Sequence, residues 1–202
     1  SFGWSPGGTR LFYTDKRMQL WDVDAISGLK TKIDTGVTGA ISGASYSGDN
    51  RWIAYIRPDE NRNGAVWMYH LATQERVRVT DDFNDDFRVT WDPKGRYLFF
   101  GSRRNFDLVS NVFEFRLVHR MTDLMYVVRL KDDSDNLLKP RSDEEVDDDG
   151  DPVLDETADE KRRSKRKERR KKKKVVLDVD LLDVDIDGIA QRVQRLPIDA
   201  GR

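Results

Sequence analysis

One stretch of this chain occurs three times, and nothing else limits the possible folds as strongly. The copies are Trp4-Ser5-Pro6-Gly7-Gly8-Thr9-Arg10-Leu11-Phe12-Tyr13-Thr14, Tyr46-Ser47-Gly48-Asp49-Asn50-Arg51-Trp52-Ile53-Ala54-Tyr55-Ile56 and Trp91-Asp92-Pro93-Lys94-Gly95-Arg96-Tyr97-Leu98-Phe99-Phe100-Gly101. Each reads aromatic, small or acidic residue, turn, cationic or hydroxyl residue, then an apolar strand. The leading aromatics lie 42 and 45 residues apart. A repeat of roughly 40–50 residues with strand content is the signature of β-propeller blades. The expected fold is all-β: about three four-stranded blades, an incomplete ring.

The order of turns and strands agrees. In the first unit, strands are expected over 10–14, 18–23 and 30–34, with Ser5-Pro6-Gly7-Gly8, Asp15-Lys16-Arg17 and Ser27-Gly28 as turns. Pro presets φ and Gly accepts positive φ, which suits these residues to tight turns. Met18 to Val23 alternates apolar and polar residues, as a half-buried strand does. The second unit repeats the plan over 41–46, 51–57, 65–71 and 76–80. The third starts the same way, with 87–91 and 96–102, and then its spacing breaks. Ala65 follows Tyr46 by 19 residues, whereas Leu124 follows Trp91 by 33. The extra length, Asn105 to Met121, reads as a long loop covering a blade edge or lining an opening. Arg103, Arg104, Arg116 and Arg120 would then be available to carboxylates or phosphates. Leu124 to Leu130 is the expected third strand.

A single four-stranded sheet cannot bury both its faces, but stacked blades can. Trp4, Tyr46 and Trp91 are expected as wedges between blades, with Leu11, Ile53 and Leu98 at a fixed offset on the next strand. Burying each such side chain stabilises by roughly 1.5–3 kcal/mol. Propellers typically have about 4–8 blades, so about three do not close a ring. The chain begins inside a repeat and at Ser1 rather than Met, and is expected to be a fragment that depends on blades outside it.

Composition divides the chain. Charged residues make up 36% and apolar ones 37% of it, against a usual apolar share of roughly 45–50%. The deficit is local to residues 131–174. There, 141–160 hold 11 acids against Arg141, and 161–174 hold 12 bases against Glu168. Few apolar residues and long like-charge runs are the composition of disorder; a transient helical hairpin between the two blocks is the alternative. Blades are expected at about 1–38, 39–82 and 83–130, the charged insertion at 131–174, and the return at 175–202. In the return, Val175 to Ile186 reads as an alternating strand with a bulge at Leu181-Leu182. Ile189 to Leu196 then fills the outer-strand slot. There is no cysteine, hence no disulfide framework and no thiolate metal site. No apolar run approaches the roughly 18–20 residues of a membrane span, and no signal peptide opens the chain.

Several short patterns suggest chemistry. Gly3-Trp4-Ser5-Pro6-Gly7 spells the nucleophile-elbow pattern, but Pro6 has no N–H for an oxyanion hole, and a strand rather than a helix follows. The turn is the better reading of Ser5. Asp183-x-Asp185-x-Asp187-Gly188 resembles half of a calcium loop, yet its twelfth position is Gln194. Glu145-x-Asp147-x-Asp149-Gly150 reaches Glu156 but contains Pro152. Both read as solvated strand or linker. His70 and His119, the only histidines, lack local partners. The run Lys161 to Lys174 can attract nucleic acid, but no aromatics interleave it for stacking; a linker neutralised by the acidic block is the simpler reading. No catalytic, cofactor-binding or metal residue is expected, and neither nucleic acid nor membrane is expected as partner.

The repeats W-S-P-G-G-T-R-L-F-Y and W-D-P-K-G-R-Y-L-F-F resemble the WD40-like propeller repeats of tricorn-type proteases and TolB-like proteins. Thr80-Asp81-Asp82-Phe83, Phe99-Phe100-Gly101-Ser102-Arg103-Arg104-Asn105-Phe106, Phe113-Glu114-Phe115 and Tyr126-Val127-Val128-Arg129-Leu130 are similar to the tricorn protease family. So is Ile186-Asp187-Gly188-Ile189-Ala190-Gln191-Arg192-Val193-Gln194-Arg195-Leu196-Pro197-Ile198. The Tyr46 copy departs from the pattern in lacking Pro. The resemblance implies part of the second, non-catalytic propeller of a serine peptidase that degrades peptides. It also implies a role as substrate filter, channel or scaffold, with PDZ and protease domains downstream, a homo-oligomer and a cytoplasmic location. The family's catalytic residues lie beyond Arg202, so none is carried over. The alternative is a TolB-like or WD40-like scaffold with no enzyme attached; a prolyl-oligopeptidase-type propeller is a third reading.

Overall fold

A computed structural model of the chain describes residues 1–104, 107–111, 116–120, 123–134, 136–138 and 182–198, with backbone alone at 107–111 and 116–120. The chain divides into a unit of Ser1–Asn136 with Val179–Arg202 and a unit of Leu137–Asp178. Nearly all described residues belong to the first, and the architecture below is that of the first. Both charge blocks and the Glu145–Glu156 pattern lie outside the described residues.

Three four-stranded antiparallel sheets carry the fold, each in simple strand order. The first comprises β1 (Phe2–Trp4), β2 (Arg10–Thr14), β3 (Gln19–Asp24) and β4 (Lys30–Thr35). The second comprises β5 (Ser42–Tyr46), β6 (Trp52–Pro58), β7 (Gly64–His70) and β8 (Arg76–Arg78). In the third, β9 (Asp86–Trp91) and β10 (Tyr97–Ser102) pair as in the other two. A separate hairpin of β11 (Asp107–Asn111) and β12 (Arg116–Arg120) intervenes before β13 (Leu124–Arg129). The fourth strand, β14 (Val193–Arg195), arrives from beyond the charged blocks and pairs Val128 with Val193 and Tyr126 with Arg195. The fold is the all-β, blade-by-blade arrangement expected, and three sheets leave the ring unclosed.

Two apolar layers lie between the sheets. Phe12, Leu20 and Ile33 of the first sheet meet Ile53, Tyr55 and Tyr69 of the second. The opposite face of the second sheet offers Trp52, Ala54, Ile56, Val66 and Met68 to Val89, Leu98, Phe100 and Val128 of the third. Successive strand residues point to opposite faces, so a sheet covered on both sides shows unbroken apolar runs: Trp52 to Ile56 is wholly buried. The wedge expected of the leading aromatics holds for two of them. Tyr46 is buried, and the half-buried Trp91 packs on the second layer and donates its indole N–H to the Ser45 carbonyl at 3.0 Å. Trp4 is 59% exposed, on the face of the first sheet that no described residue covers.

Each inner strand of the second and third sheets carries one bulge at the same place. Gly43 and Ala44 face Tyr55 alone, and Arg88 and Val89 face Phe100 alone. The first bulge residue is left-handed in both, at φ 62 for Gly43 and φ 51 for Arg88. Glycine takes that conformation freely, whereas another L-residue loses roughly 1–2 kcal/mol there.

Three expectations are corrected. The extra segment after β10 is not a loop but contains the β11–β12 hairpin, which pairs Val109 with Val118; β-branched residues at these positions favour the extended chain. The outer strand expected from Ile189 is strand only from Val193, because Ile189–Arg192 is a 3-10 turn entered through Gly188 at φ 69. Buried Ile189 and Arg192 sit three residues apart on one side of that turn. Residues 182–186 are not a strand. Their alternation instead inserts Leu182, Val184 and Ile186 into the second layer, while the Leu182 N–H bonds the Asp49 carboxylate at 2.9 Å. Val175 to Leu181 lies outside the described residues.

Candidate functional site

The inner strands β1, β5 and β9 each head a sheet and leave one edge unpaired among the described residues. β5 and β9 run side by side: a Cβ built on Gly43 would stand 3.8 Å from the Arg88 Cα. The exposed residues along these neighbouring edges are Ser42 and Gly43 on β5 and Arg88 and Thr90 on β9. In a ring of blades the inner edges face the axis. Among the described residues none forms an ion pair or a side-chain hydrogen bond with Arg88.

At the start of β9 and the end of β10 the cations are already matched. Arg103 pairs with Asp85 and, at 3.4 Å, with Asp123; its hydrogen bond to Asp85 holds its pKa above the ordinary arginine value. Arg104 donates to buried Asp86 at 3.0 Å and to Ser102 at 2.9 Å, and stacks over Phe100 and Tyr126. Arg103 and Arg104 are therefore clamps on the Asp85-Asp86 corner, not open cations for a phosphate or carboxylate. Arg116 and Arg120 lie on β12, where only the backbone is described.

Polar ties cross the first apolar layer. Asp22, fully buried on β3, accepts from Arg10 Nε at 3.1 Å and from the Tyr46 hydroxyl at 2.6 Å. Asp34 at the end of β4 accepts from Tyr55 at 2.8 Å, Arg57 at 3.1 Å and Arg76 at 2.9 Å, all on the second sheet. Asp59 accepts from Arg57 at 3.4 Å and Arg78 at 2.5 Å. The Arg57 guanidinium also covers the Trp67 ring at 3.8 Å. Burial, reinforced by Asp22, pushes the Tyr46 phenol far above its ordinary pKa, and burial beside Asp34 does the same to Tyr55. These carboxylates went unread in the sequence. The available signal was phase: Asp22 takes the same face as Leu20, pointing inward, where an apolar residue is the rule.

The residues singled out for chemistry fall elsewhere. Ser5 is buried in the turn before β2, where its N–H donates to the Arg10 carbonyl and its hydroxyl accepts the Arg10 N–H at 3.2 Å. His70, expected to lack a local partner, has one: it ends β7, accepts the Thr73 N–H at 3.0 Å through Nδ1 and meets the Trp52 ring edge-on; burial lowers its pKa. His119 lies on β12, with backbone alone described. Asp183 pairs with Lys131 at 3.1 Å, and Asp185 accepts the Asp132 N–H at 2.9 Å. The backbone carbonyls of Asp185 and Asp187 accept from buried Arg192. Those residues border an open groove of about 820 Å³ with Glu75, Asp132 and Arg129. No cluster of metal-ligating side chains occurs among the described residues. No helix among them is long and apolar enough to cross a membrane.

A family model described as the tricorn protease second beta propeller domain matches residues 1–202. A Tricorn-like protease C-terminal subunit of Sulfurisphaera tokodaii is 28% identical over 62% of this chain and 15% of its own length. A tricorn protease homolog of Saccharolobus solfataricus is 25% identical over 62% of this chain and 12% of its own. The chain thus spans less than a sixth of either relative. The crystal structure of the tricorn protease superposes with a TM-score of 0.72 at 16% identity, covering all of this chain and 17% of that one. At that identity the likeness concerns the fold. With the threefold repeat, the stacked sheets and a family match along its whole length, the chain belongs to the tricorn protease second beta propeller family.

Proposed function

We propose that this chain is a non-catalytic wall segment of a propeller in a tricorn-like serine peptidase, and that the closed ring passes peptides to a protease core elsewhere in the protein. The observation that carries this reading is the row of exposed residues on the free edges of β5 and β9. The hydrogen-bonding groups of an unpaired edge are available to an extended peptide. Peptide substrates, the remaining blades, PDZ and protease domains and further copies of the protein are the partners this role requires, in the cytoplasm. The exposed outer face of the first sheet, with Phe2 77% and Trp4 59% exposed, suits a preceding blade. An indole there can repeat the bond that Trp91 makes to Ser45.

The test uses the whole protein that carries this chain. Ser42→Cys, labelled with a bulky maleimide, narrows the passage. Cleavage of long peptides should fall while kcat/KM for a tripeptide substrate holds. Equal effects on long and short substrates, or none on either, would remove the channel from the reading.

A further inference from the structure

Five residues other than glycine have positive φ among the described residues: Met18, Asn50, Arg62, Gln74 and Arg88. The first four lie in turns between strands, and only Arg88 lies within a strand. It is the first residue of the β9 bulge, three positions before the leading Trp91. The residue three positions before Tyr46, at the same bulge of the second sheet, is Gly43. The fold accepts glycine there, and the chain places an arginine in a conformation unfavourable to any side chain. The arginine is exposed, and no described residue forms an ion pair or a side-chain hydrogen bond with it. Neighbouring arginines, Arg103 and Arg104, are held by Asp85, Asp123 and Asp86. A backbone outlier whose side chain is engaged by none of the described residues points to a functional role.

Resting on the channel reading, we infer that Arg88 is a binding residue of the channel wall that receives a carboxylate of the passing peptide. The carboxylate is either the C-terminal group or an Asp or Glu side chain. The planar guanidinium pairs with a carboxylate through two parallel N–H donors. The small Gly43 and Ser42 beside it leave the approach open, and the free edge of β9 aligns an extended chain. Peptides bearing negative charge would be held there in preference to neutral ones.

The experiment measures binding to the whole protein, in the cold, with peptide integrity checked by mass spectrometry. One short peptide is prepared with a free or an amidated C-terminus, and with Glu or Gln inside. Arg88→Gly keeps a residue that suits the bulge, so its thermal midpoint should not fall below that of the parent. Its affinity for the carboxylate-bearing forms should drop roughly three- to tenfold, as expected for one partly exposed charge-assisted contact. Its affinity for the amidated Gln form should not change. Arg88→Lys should recover part of the loss. A loss confined to the free C-terminus, or confined to the Glu form, supports the assignment and identifies the source of the carboxylate. If Arg88→Gly binds every form as the parent does, the assignment is overturned. Binding of the amidated Gln form together with size-selective loss in the plugged protein would then leave the channel itself standing.

Discussion

Replacing Asp34 by Ala tests whether the sheets are joined by specific polar ties or only by apolar stacking. Asp34 is 4% exposed and accepts three side-chain donors from the second sheet, besides the Thr35 N–H at 2.8 Å. Breaking a buried ion pair from one side typically costs about 3–5 kcal/mol. The local geometry lowers that figure. The Arg76 side chain is 51% exposed and rehydrates on losing its partner, so its share is within about 1 kcal/mol. Arg57 keeps Asp59. The Tyr55 hydroxyl has no such recourse: the residue is fully buried, and an orphaned hydroxyl costs about 1–3 kcal/mol. The expected destabilisation of Asp34→Ala is about 2–4 kcal/mol. Urea unfolding followed by tryptophan fluorescence suits the site, because Trp67 lies beneath Arg57 and reports on the same layer. Arg76→Ala is the internal control and should cost no more than about 1 kcal/mol. A loss for Asp34→Ala no larger than that of Arg76→Ala would refute the reasoning.

Two further outcomes follow from the same layer. Burial raises the pKa of Tyr46 and Tyr55 in the folded state, so their neutral forms stabilise the fold fully below pH about 10, the unfolded value. Above it the unfolded chain loses protons first, and stability should fall by about 1.4 kcal/mol per pH unit for each tyrosine. A denaturant midpoint unchanged from pH 9 to about 11 would contradict this. Tyr46→Phe removes the hydroxyl that reaches Asp22 and should cost about 1.5–3 kcal/mol. Combined with Asp22→Asn, the loss should fall short of additive by about 1 kcal/mol or more, as for two groups in contact; additive losses would mean that the tie carries no energy.

What the sequence disclosed follows from the range over which each signal acts. The turns and alternation that set β2, β3, β6, β7 and β10 are local, and the repeat made them visible three times over. The wedge role of Tyr46 and Trp91 followed from stacking alone. The end of the third sheet was harder. Its fourth strand is separated from β13 by more than 60 residues, and the sequence there mixes two periods: Ile189 and Arg192 share a 3-10 face just before Val193 enters the strand. Residues 182–186 alternate like a strand, but among the described residues they form no ladder with a neighbouring edge, only a single backbone bond across, from the Asp185 N–H to the Leu130 carbonyl. Arg88 was legible only by comparison of sister positions, since a left-handed residue within a strand exists only because a bulge makes room for it. Setting residue 88 beside residue 43 would have raised the question without coordinates.

The buried carboxylates explain how blades so alike keep their order. Apolar faces are interchangeable: the layer that receives Ile53 and Tyr55 would accept the corresponding residues of another blade with small changes in packing. The ties are not interchangeable. Asp22 takes a hydroxyl from the leading aromatic of the next sheet, Tyr46, while the equivalent aromatic one blade on, Trp91, gives its N–H to a backbone carbonyl at Ser45. An indole in the place of Tyr46 would present its donor at a different height and leave part of a buried carboxylate unsatisfied, and a phenol in the place of Trp91 would leave the Ser45 carbonyl without that bond. Mispairing of blades is thereby made unfavourable through unsatisfied polar groups rather than through lost area. The coupling between Tyr46 and Asp22 is the direct measure of that discrimination.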